Sequence, residues 1–230
     1  MSGTRSGRVA ALIPAYRAER TLGPVLAGTL PVVPDVLVVD DGSPDATGEV
    51  ARRLGARVVA HPVNRGKGAA LRTGFDLLFG EGFDAVVTLD ADGQHLPEEI
   101  PALLRADADL VLGTREQQFR GMTKVRRTSN RWSSRAISIL AGQPLGDIQT
   151  GFRLYSRPLI AATGFPEDGF EAESAVVVRA RRLGFRIVSV PVRLGFVDGR
   201  PTSHYRPLTD SLRIAVAVVA ARFERRDGHR

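Results

Sequence analysis

The stretch AVVTLDADG at residues 85–93 leads a short, mainly apolar run into two aspartates, Asp90 and Asp92. The run at residues 85–89 has the length and composition of a buried strand, so both carboxylates are expected where that strand meets the surface. Hard cations such as Mg²⁺ take oxygen ligands and usually share them with substrate phosphates. The stretch therefore predicts a divalent cation beside a diphosphate; an acidic turn without a ligand is the alternative.

A second acidic turn, DDGS at residues 40–43, closes the apolar run at residues 36–39. Ligands of α/β sheets bind outside the carboxyl ends of the strands, so two acidic turns at strand ends point to a nucleotide-diphosphate site at one sheet edge. One carboxylate of this turn would accept hydrogen bonds from a base or a ribose. A plain turn that caps the next helix is equally compatible with the pattern.

Strands and helices alternate through the first half of the chain, and the second half is less regular. The predicted strands are 9–13, 36–39, 57–60, 85–89, 110–112, 147–155 and 187–192. The predicted helices are 21–30 with Thr21 as N-cap, 44–54, 68–79, 97–104, 129–141, 171–183 and 208–223, and residues 113–128 and 197–206 are predicted loops. This order predicts an α/β fold with a mostly parallel sheet that has helices on both faces.

The composition limits the class of protein. A chain of 230 residues favours a single domain, and the absence of cysteine excludes disulfides and thiolate metal sites. The first residues do not resemble a secretory signal, and the apolar run at 214–221 is shorter than the ~20 residues of a spanning helix. We therefore expect a cytoplasmic protein, soluble or peripheral at the inner membrane face. Its net charge of +7 suits anionic partners.

Two basic segments are candidate phosphate sites. The stretch NRGKG at residues 64–68 lacks the Walker arrangement, but its glycine amides and Lys67 would suit an anion at the start of a helix; an exposed basic turn is equally compatible. Residues 115–135 carry seven cations and one acid. They follow a predicted strand, which favours the phosphate of a second substrate over a merely solvated face. Nucleic acid is not expected, because only Phe119 and Trp132 offer stacking surfaces there.

Taken together, the motifs resemble those of a family 2 glycosyltransferase with the GT-A fold, most nearly the dolichol- or polyprenyl-phosphate sugar synthase branch. The stretches that carry the resemblance are IPAY at 13–16 with Glu19, VDDGS at 39–43, NRGKG at 64–68, LDADGQH at 89–95, GTR at 113–115, QTGFR at 149–153, GFEAE at 169–173 and SHYRP at 203–207. The Gln-x-x-Arg-Trp signature of processive members is missing, so polysaccharide polymerisation is not expected.

The resemblance implies an inverting, metal-dependent hexosyltransferase that moves a sugar from GDP-mannose or a UDP-hexose to a polyprenyl phosphate, with Mg²⁺ or Mn²⁺. The implied nucleotide-sugar residues are Pro14, Ala15, Tyr16, Glu19, Asp41, Lys67, Asp90, Ala91 and Asp92. The implied metal ligands are Asp90, Asp92 and Gln94. The implied acceptor residues are Arg115, Arg131, Ser134 and Arg206, and the implied catalytic residues are Asp92, Arg115 and Arg131. Residues 1–112 would form the nucleotide-sugar half of one domain, 1–230, and residues 113–230 the acceptor half.

Three points stay open on the sequence. A family 2 transferase acting on a sugar hydroxyl in cell-surface glycan synthesis is one alternative, and it would need a carboxylate base from among Asp168, Glu171 and Glu173. A non-catalytic basic module that binds nucleotides or other anions is another. The last helix, 208–223, is amphipathic; it either docks on the protein's own core or lies on an anionic membrane.

Overall fold

A computed structural model describes residues 7–114, 150–193, 195 and 207–224. Its strands are β1 (Val9–Ala15), β2 (Val36–Asp40), β3 (Arg57–Ala60), β4 (Ala85–Thr88), β5 (Leu110–Thr114), β6 (Arg153–Ser156) and β7 (Ile187–Pro191). Its helices are α1 (Leu22–Thr29), α2 (Thr47–Arg53), α3 (Lys67–Gly80), α4 (Ile100–Leu104), α5 (Arg157–Thr163), α6 (Ala172–Arg182) and α7 (Pro207–Phe223), and a 3₁₀ turn at Pro97–Glu99 precedes α4.

The described strands form one sheet in the order β3-β2-β1-β4-β6-β5-β7. All of them run in one direction except β6, which pairs antiparallel with both β4 and β5. The α/β fold with a mostly parallel sheet is therefore confirmed. Because β6 runs backwards, it starts at the edge where β1, β2, β4 and β5 end. The residues just before β6 thus return to the edge at which the acidic turns lie.

Helices cover both faces of the sheet, because alternate residues of each buried strand point to opposite sides. Leu37 and Val39 of β2 join the core beneath α3, α6 and α7. Val36 and Val38 of the same strand join the core beneath α1, α2 and α4. Phe75 of α3 packs edge-to-face against the rings of Tyr155 and Phe165 in the first core. Both layers are thus packed around strands that are apolar on both sides.

Strand β1 continues through Pro14 to Ala15, whereas the sequence predicted its end at Ile13. In β1 the backbone groups of odd-numbered residues form hydrogen bonds with β2. One example is the 2.8 Å bond from the Asp41 amide to the Ala15 carbonyl oxygen. Pro14 therefore faces the β4 side, and the β1–β4 pairing has already ended at Leu12 and Thr88. No ladder bond is lost there, so a proline is tolerated.

Other boundaries also differ from the prediction for local reasons. Helix α2 begins at Thr47 rather than residue 44, because Asp45 accepts hydrogen bonds from the Thr47 amide and hydroxyl and forms a turn there. Thr21 stands at the N-cap of α1 but makes no side-chain cap bond. The sequence analysis did not predict α5, although Ser156 caps it by accepting a bond from the Leu159 amide. The predicted helix 129–141 and most of the two predicted loops lie outside the described residues.

Candidate active site

The loop after β1 is held against the loop after β2 at the carboxyl edge of the sheet. The Arg17 amide donates to the Ser43 hydroxyl at 3.0 Å, and the Ala18 amide donates to Thr47 Oγ1 at 2.8 Å. Glu19 accepts a bond at 3.1 Å from the Ala46 amide, at the end of the second loop. These contacts bring together four of the predicted nucleotide residues beside the DDGS turn: Pro14, Ala15, Tyr16 and Glu19.

Asp41 is buried and holds the loop that leads into α3. Its Oδ1 accepts from the Arg65 amide at 2.9 Å and its Oδ2 from the Gly66 amide at 2.8 Å. His61 Nδ1 lies 2.7 Å from Oδ1, and because a carboxylate only accepts, this nitrogen is the donor. His61 Nε2 contacts the Thr73 hydroxyl at 3.0 Å. Asp41 therefore orders the NRGKG stretch; its contact with a nucleotide stays a prediction.

The glycines of NRGKG allow a second segment to lie against the start of α3. Gly66 has φ +103°, and a Cβ at Gly66 or Gly68 would collide with backbone atoms of residues 167–169. The Ala69 amide donates to the Asp168 carbonyl oxygen at 3.0 Å in the same contact. This close approach of backbones places the side chain of Lys67 beside the start of α6.

Lys67 bridges the first acidic residue of the DADG turn and the first turn of α6. Its Nζ lies 2.6 Å from Asp90 Oδ1 and 2.9 Å from Glu173 Oε2. The Lys67 side chain is 15% exposed and that of Glu173 only 7%. Burial alone would lower the pKa of Lys67, but the negative charges of Asp90 and Glu173 outweigh it and the net pKa is raised. The ammonium is therefore a fixed positive charge at this edge.

The DADGQH turn is shaped by its own side chains. The Asp90 amide donates to His95 Nδ1 at 3.0 Å, and the His95 ring stacks on Phe152 at a centroid distance of 5.3 Å. Asp92 Oδ1 accepts from the Gln94 amide at 2.9 Å. The predicted ligands Asp90, Asp92 and Gln94 are thus neighbours in one ordered turn, each partly accessible, and Ala91 between them is buried.

Gly151, just before β6, keeps clear the volume in front of the Asp90 carboxylate. A Cβ there would lie 2.6 and 2.7 Å from the two carboxylate oxygens and 2.7 Å from Lys67 Nζ. The Gly151 carbonyl oxygen accepts from the Thr88 hydroxyl at 2.8 Å, which fixes this segment to the end of β4. The antiparallel entry of β6 is what brings it here.

The oxygen atoms of the DADGQH turn fit a cation that is shared with a diphosphate. In the part of the chain that the structure describes, no three His, Cys, Asp or Glu side chains are arranged to hold a metal by themselves. A protein typically binds Mg²⁺ through one or two carboxylates and leaves the other positions to substrate phosphates and water. Asp90 and Asp92 supply such a partial set, with the Gln94 amide beside them.

Sequence reasoning missed Arg153. This side chain is fully buried, and it donates from Nε to the Thr150 carbonyl oxygen at 2.7 Å and from Nη1 to the Glu173 carbonyl oxygen at 2.5 Å. It therefore ties the start of β6 to the first turn of α6. Arg153 stands in the QTGFR stretch, but because arginine is almost never fully buried, the stretch by itself does not predict this structural role. The four predicted acceptor residues lie outside the described residues: Arg115, Arg131, Ser134 and Arg206.

Comparison with known proteins shows which family the chain resembles. The model of glycosyl transferase family 2 matches residues 10–164. The undecaprenyl-phosphate mannosyltransferase of Micrococcus luteus is 37% identical over 201 residues, which cover 80% of this chain and 82% of the relative. The polyprenol monophosphomannose synthase of Mycolicibacterium smegmatis is 32% identical over 207 residues, covering 80% and 76%.

A solved structure gives a similar fold with its ligands in place. The glucosyl-3-phosphoglycerate synthase of Mycobacterium tuberculosis in complex with Mn²⁺ and UDP-glucose superposes with a TM-score of 0.69 at 26% sequence identity. The match covers 94% of this chain and 79% of that structure. That enzyme thus combines a divalent cation and a nucleotide sugar on the same architecture.

Proposed function

The chain belongs to glycosyltransferase family 2, and we propose that it transfers a hexose from a nucleotide-diphosphate sugar to a polyprenyl phosphate with inversion at the anomeric carbon. The donor would be GDP-mannose or a UDP-hexose, with Mg²⁺ or Mn²⁺ as cofactor. Support for the acceptor comes from the relatives, two of which are named for undecaprenyl phosphate and polyprenol. Residues 1–112 would bind the donor and residues 113–230 the acceptor.

One observation carries the proposal: Lys67 lies between Asp90 and Glu173 at the edge where both acidic turns meet. The Asp90 carboxylate faces the volume that Gly151 leaves clear, and the ammonium of Lys67 lies at its side. A leaving diphosphate needs positive charge beside it, and a bound divalent cation supplies most of that charge. Lys67 would add a fixed charge whose pKa is raised by its two carboxylate neighbours.

The carboxylates near the site favour an acceptor that is already ionised. A sugar hydroxyl must lose its proton to a base as it attacks. Glu173 is engaged by Lys67 at 2.9 Å, and Asp168 accepts from Arg72 Nη2 at 2.5 Å. A phosphate oxygen attacks the anomeric carbon without a base; the bond to the diphosphate breaks, and the products are a glycosyl phosphate and a nucleoside diphosphate. Arginines then suffice to orient the acceptor, since their planar forks fit phosphate oxygens.

A hydroxyl acceptor stays a second candidate because of Glu171. Its Oε1 accepts from the Gly169 amide at 3.2 Å, whereas its buried Oε2 has no hydrogen-bond partner among the described residues. Of the three carboxylates that the sequence offered as bases, Glu171 is the one that forms no ion pair with a basic side chain among the described residues. Glu171→Gln would then abolish transfer to a hydroxyl and leave transfer to a phosphate unchanged.

The test is a transfer assay with GDP-mannose, UDP-glucose and UDP-N-acetylglucosamine, each offered with Mn²⁺ to a short-chain, water-soluble prenyl phosphate or to the matching prenyl alcohol. We expect a glycosylated phosphate and no reaction with the alcohol. Asp92→Asn should lower turnover by ~10² or more, the size of losing one strong electrostatic contact in a transition state. Transfer only to the alcohol or to a sugar hydroxyl would contradict the proposal that the acceptor is a phosphate. No transfer from any of the three donors would contradict the proposed transferase activity.

Arg131→Ala tests the acceptor residues in the same assay. A charge-assisted arginine contact is worth about 1.5–3 kcal/mol, so kcat/KM for the prenyl phosphate should fall by ~10-fold or more. Affinity for the nucleoside diphosphate, measured by calorimetry, should stay unchanged. A loss of donor affinity instead would assign this arginine to the diphosphate.

A further inference from the structure

Helix α7 has one apolar side in the core and a second apolar side in solvent. Ile214, Val218 and Ala221 are buried against α6 and the sheet. A further set of apolar side chains, spaced by four, three and four residues, lies along the opposite side of the helix. The exposed fractions in this set, called the outer stripe here, are Leu212 67%, Val216 63%, Val219 48% and Phe223 74%. The sequence analysis offered core docking and membrane contact as alternatives, and the helix has a surface for each.

The charges around the outer stripe are cationic. Arg213 and Arg222 are exposed beside it, and Arg225 and Arg226 follow in the sequence. Of the acids of this region, Asp210 is buried and Glu224 accepts from Arg179 Nε at 2.8 Å. Asp227 follows the two arginines in the sequence, so the stretch 225–227 keeps a net positive charge. An apolar stripe with a positive border has the pattern of a helix that lies in the interface of an anionic bilayer.

The helix is fixed to the body of the protein, so it cannot turn the outer stripe inward. Arg182, at the end of α6, donates to the carbonyl oxygens of Ala221 and Glu224 at the end of α7. Arg179, one turn earlier in α6, donates a hydrogen bond to the Glu224 carboxylate. The two helices thus end side by side. The stripe stays at the surface of the folded protein.

The outer stripe also reaches the site edge of the sheet. Helices α6 and α7 end together and pack along their length, so they run in the same direction. Leu212 is 11 residues before Phe223, about 16 Å along the helix, and Glu173 is 9 residues before Arg182, about 14 Å. Leu212 therefore lies about level with the turn of α6 that carries Glu173 and contacts Lys67.

We propose that the outer stripe docks the protein on the surface of an anionic phospholipid bilayer and keeps the site edge beside that surface. Among the described residues no helix is long and apolar enough to cross a membrane, and docking needs none. The other occupant of such a stripe is a second copy of the chain. A dimer through this face would bring the arginine borders of both copies together, whereas phosphate headgroups neutralise them. The link to a lipid acceptor rests on the proposed function; the docking itself does not.

The experiment is co-sedimentation with sucrose-loaded vesicles of phosphatidylcholine, with and without phosphatidylglycerol. We expect binding that needs the anionic lipid and weakens in high salt. Val216→Glu/Phe223→Glu should lower the partition coefficient by at least ~100-fold, and Arg213→Gln/Arg222→Gln by ~25-fold. Leu54→Glu, at another exposed apolar position (39% exposed), is the matched control and should bind as wild type. All these side chains are exposed, so the melting temperatures should match.

Two results would overturn the proposal: a wild type that ignores anionic vesicles, or stripe variants that still sediment with them. Light scattering decides the rival occupant, because a dimer that Val216→Glu/Phe223→Glu converts to a monomer assigns the face to a second copy. Sedimentation requires no turnover, so it decides the docking even if no acceptor is glycosylated. If the proposed function also holds, the stripe variants should lose transfer to a long-chain polyprenyl phosphate in vesicles and keep transfer to the water-soluble one.

Discussion

Replacing Lys67 by methionine removes the charge of the Asp90–Lys67–Glu173 bridge and keeps most of the side-chain volume. Glu173, with 7% of its side chain exposed, would be left buried without its cation, and its Oε1 already lacks a hydrogen-bond partner among the described residues. Breaking a buried pair from one side costs about 3–5 kcal/mol. Asp90 is 30% exposed and stays partly solvated, which favours the lower end, ~3 kcal/mol. At ~2–4 °C per kcal/mol for a chain of this size, the melting temperature should fall by ~6–12 °C.

Thermal unfolding followed by circular dichroism, in buffer with a chelator, measures this loss. The double variant Lys67→Met/Glu173→Gln no longer buries a lone charge and should recover at least half of it. The pKa of Lys67 is raised, so its stabilisation is complete below the ordinary lysine pKa and is lost only as pH rises through the higher folded value. The difference in melting temperature between Lys67→Met and wild type should therefore be equal at pH 7 and pH 9. A single variant that melts within ~2 °C of wild type, or a double variant that loses the sum of both single effects, would refute this reasoning.

Three further predictions follow from other contacts. Gly151→Ala should weaken the Mn²⁺-dependent binding of nucleoside diphosphate by at least ~10-fold in calorimetry, because its Cβ would lie 2.6 Å from a carboxylate oxygen; Gly80→Ala, with no atom within 4 Å, should bind as wild type. His61→Ala removes one hydrogen bond from the buried Asp41 carboxylate and should lower the free energy of unfolding, measured in urea, by about 1–3 kcal/mol; an unchanged urea midpoint contradicts this. The Arg179 hydrogen bond lowers the pKa of Glu224, so that carboxylate stabilises the fold above its ordinary pKa of 4.5 and the contribution is lost as pH falls through the lowered folded value. The melting temperature of Glu224→Gln should accordingly fall less between about pH 6 and pH 3 than that of wild type.

The sequence predicted features whose cause is local. The strands before Asp40 and Asp90 are short runs of mainly apolar residues that end in acidic turns, and each element is complete within a few neighbouring positions. The ordered DADGQH turn is likewise built from its own side chains. The parallel sheet followed from the alternation of strands and helices. Pattern and propensity were sufficient for the fold class and for one side of the site.

Features that depend on contacts between distant positions could not be predicted. Lys67 and Glu173 are 106 residues apart, and nothing in either neighbourhood shows that they pair. The tolerance of Pro14 in β1 depends on where a different strand ends. The reversal of β6 depends on its pairing with β4, where Leu154 lies opposite Val87, 67 residues earlier in the chain. Helix α5 was missed despite a local signal, since Ser156 and Pro158 are typical of a helix start.

The order of strands in the sheet sets a constraint on synthesis at the ribosome. Both neighbours of β5 come later in the chain, and β4 gains its second neighbour only with β6. Between the end of β5 at residue 114 and the end of β6 at residue 156, 42 residues must be made, which takes about 2–8 s at typical translation rates. During that interval the nascent chain carries strands that are fully buried in the final fold and still lack partners, the condition under which edges pair with other chains. A fragment that stops at residue 112 would be held in that condition permanently, so we expect residues 1–112 to aggregate when they are produced alone.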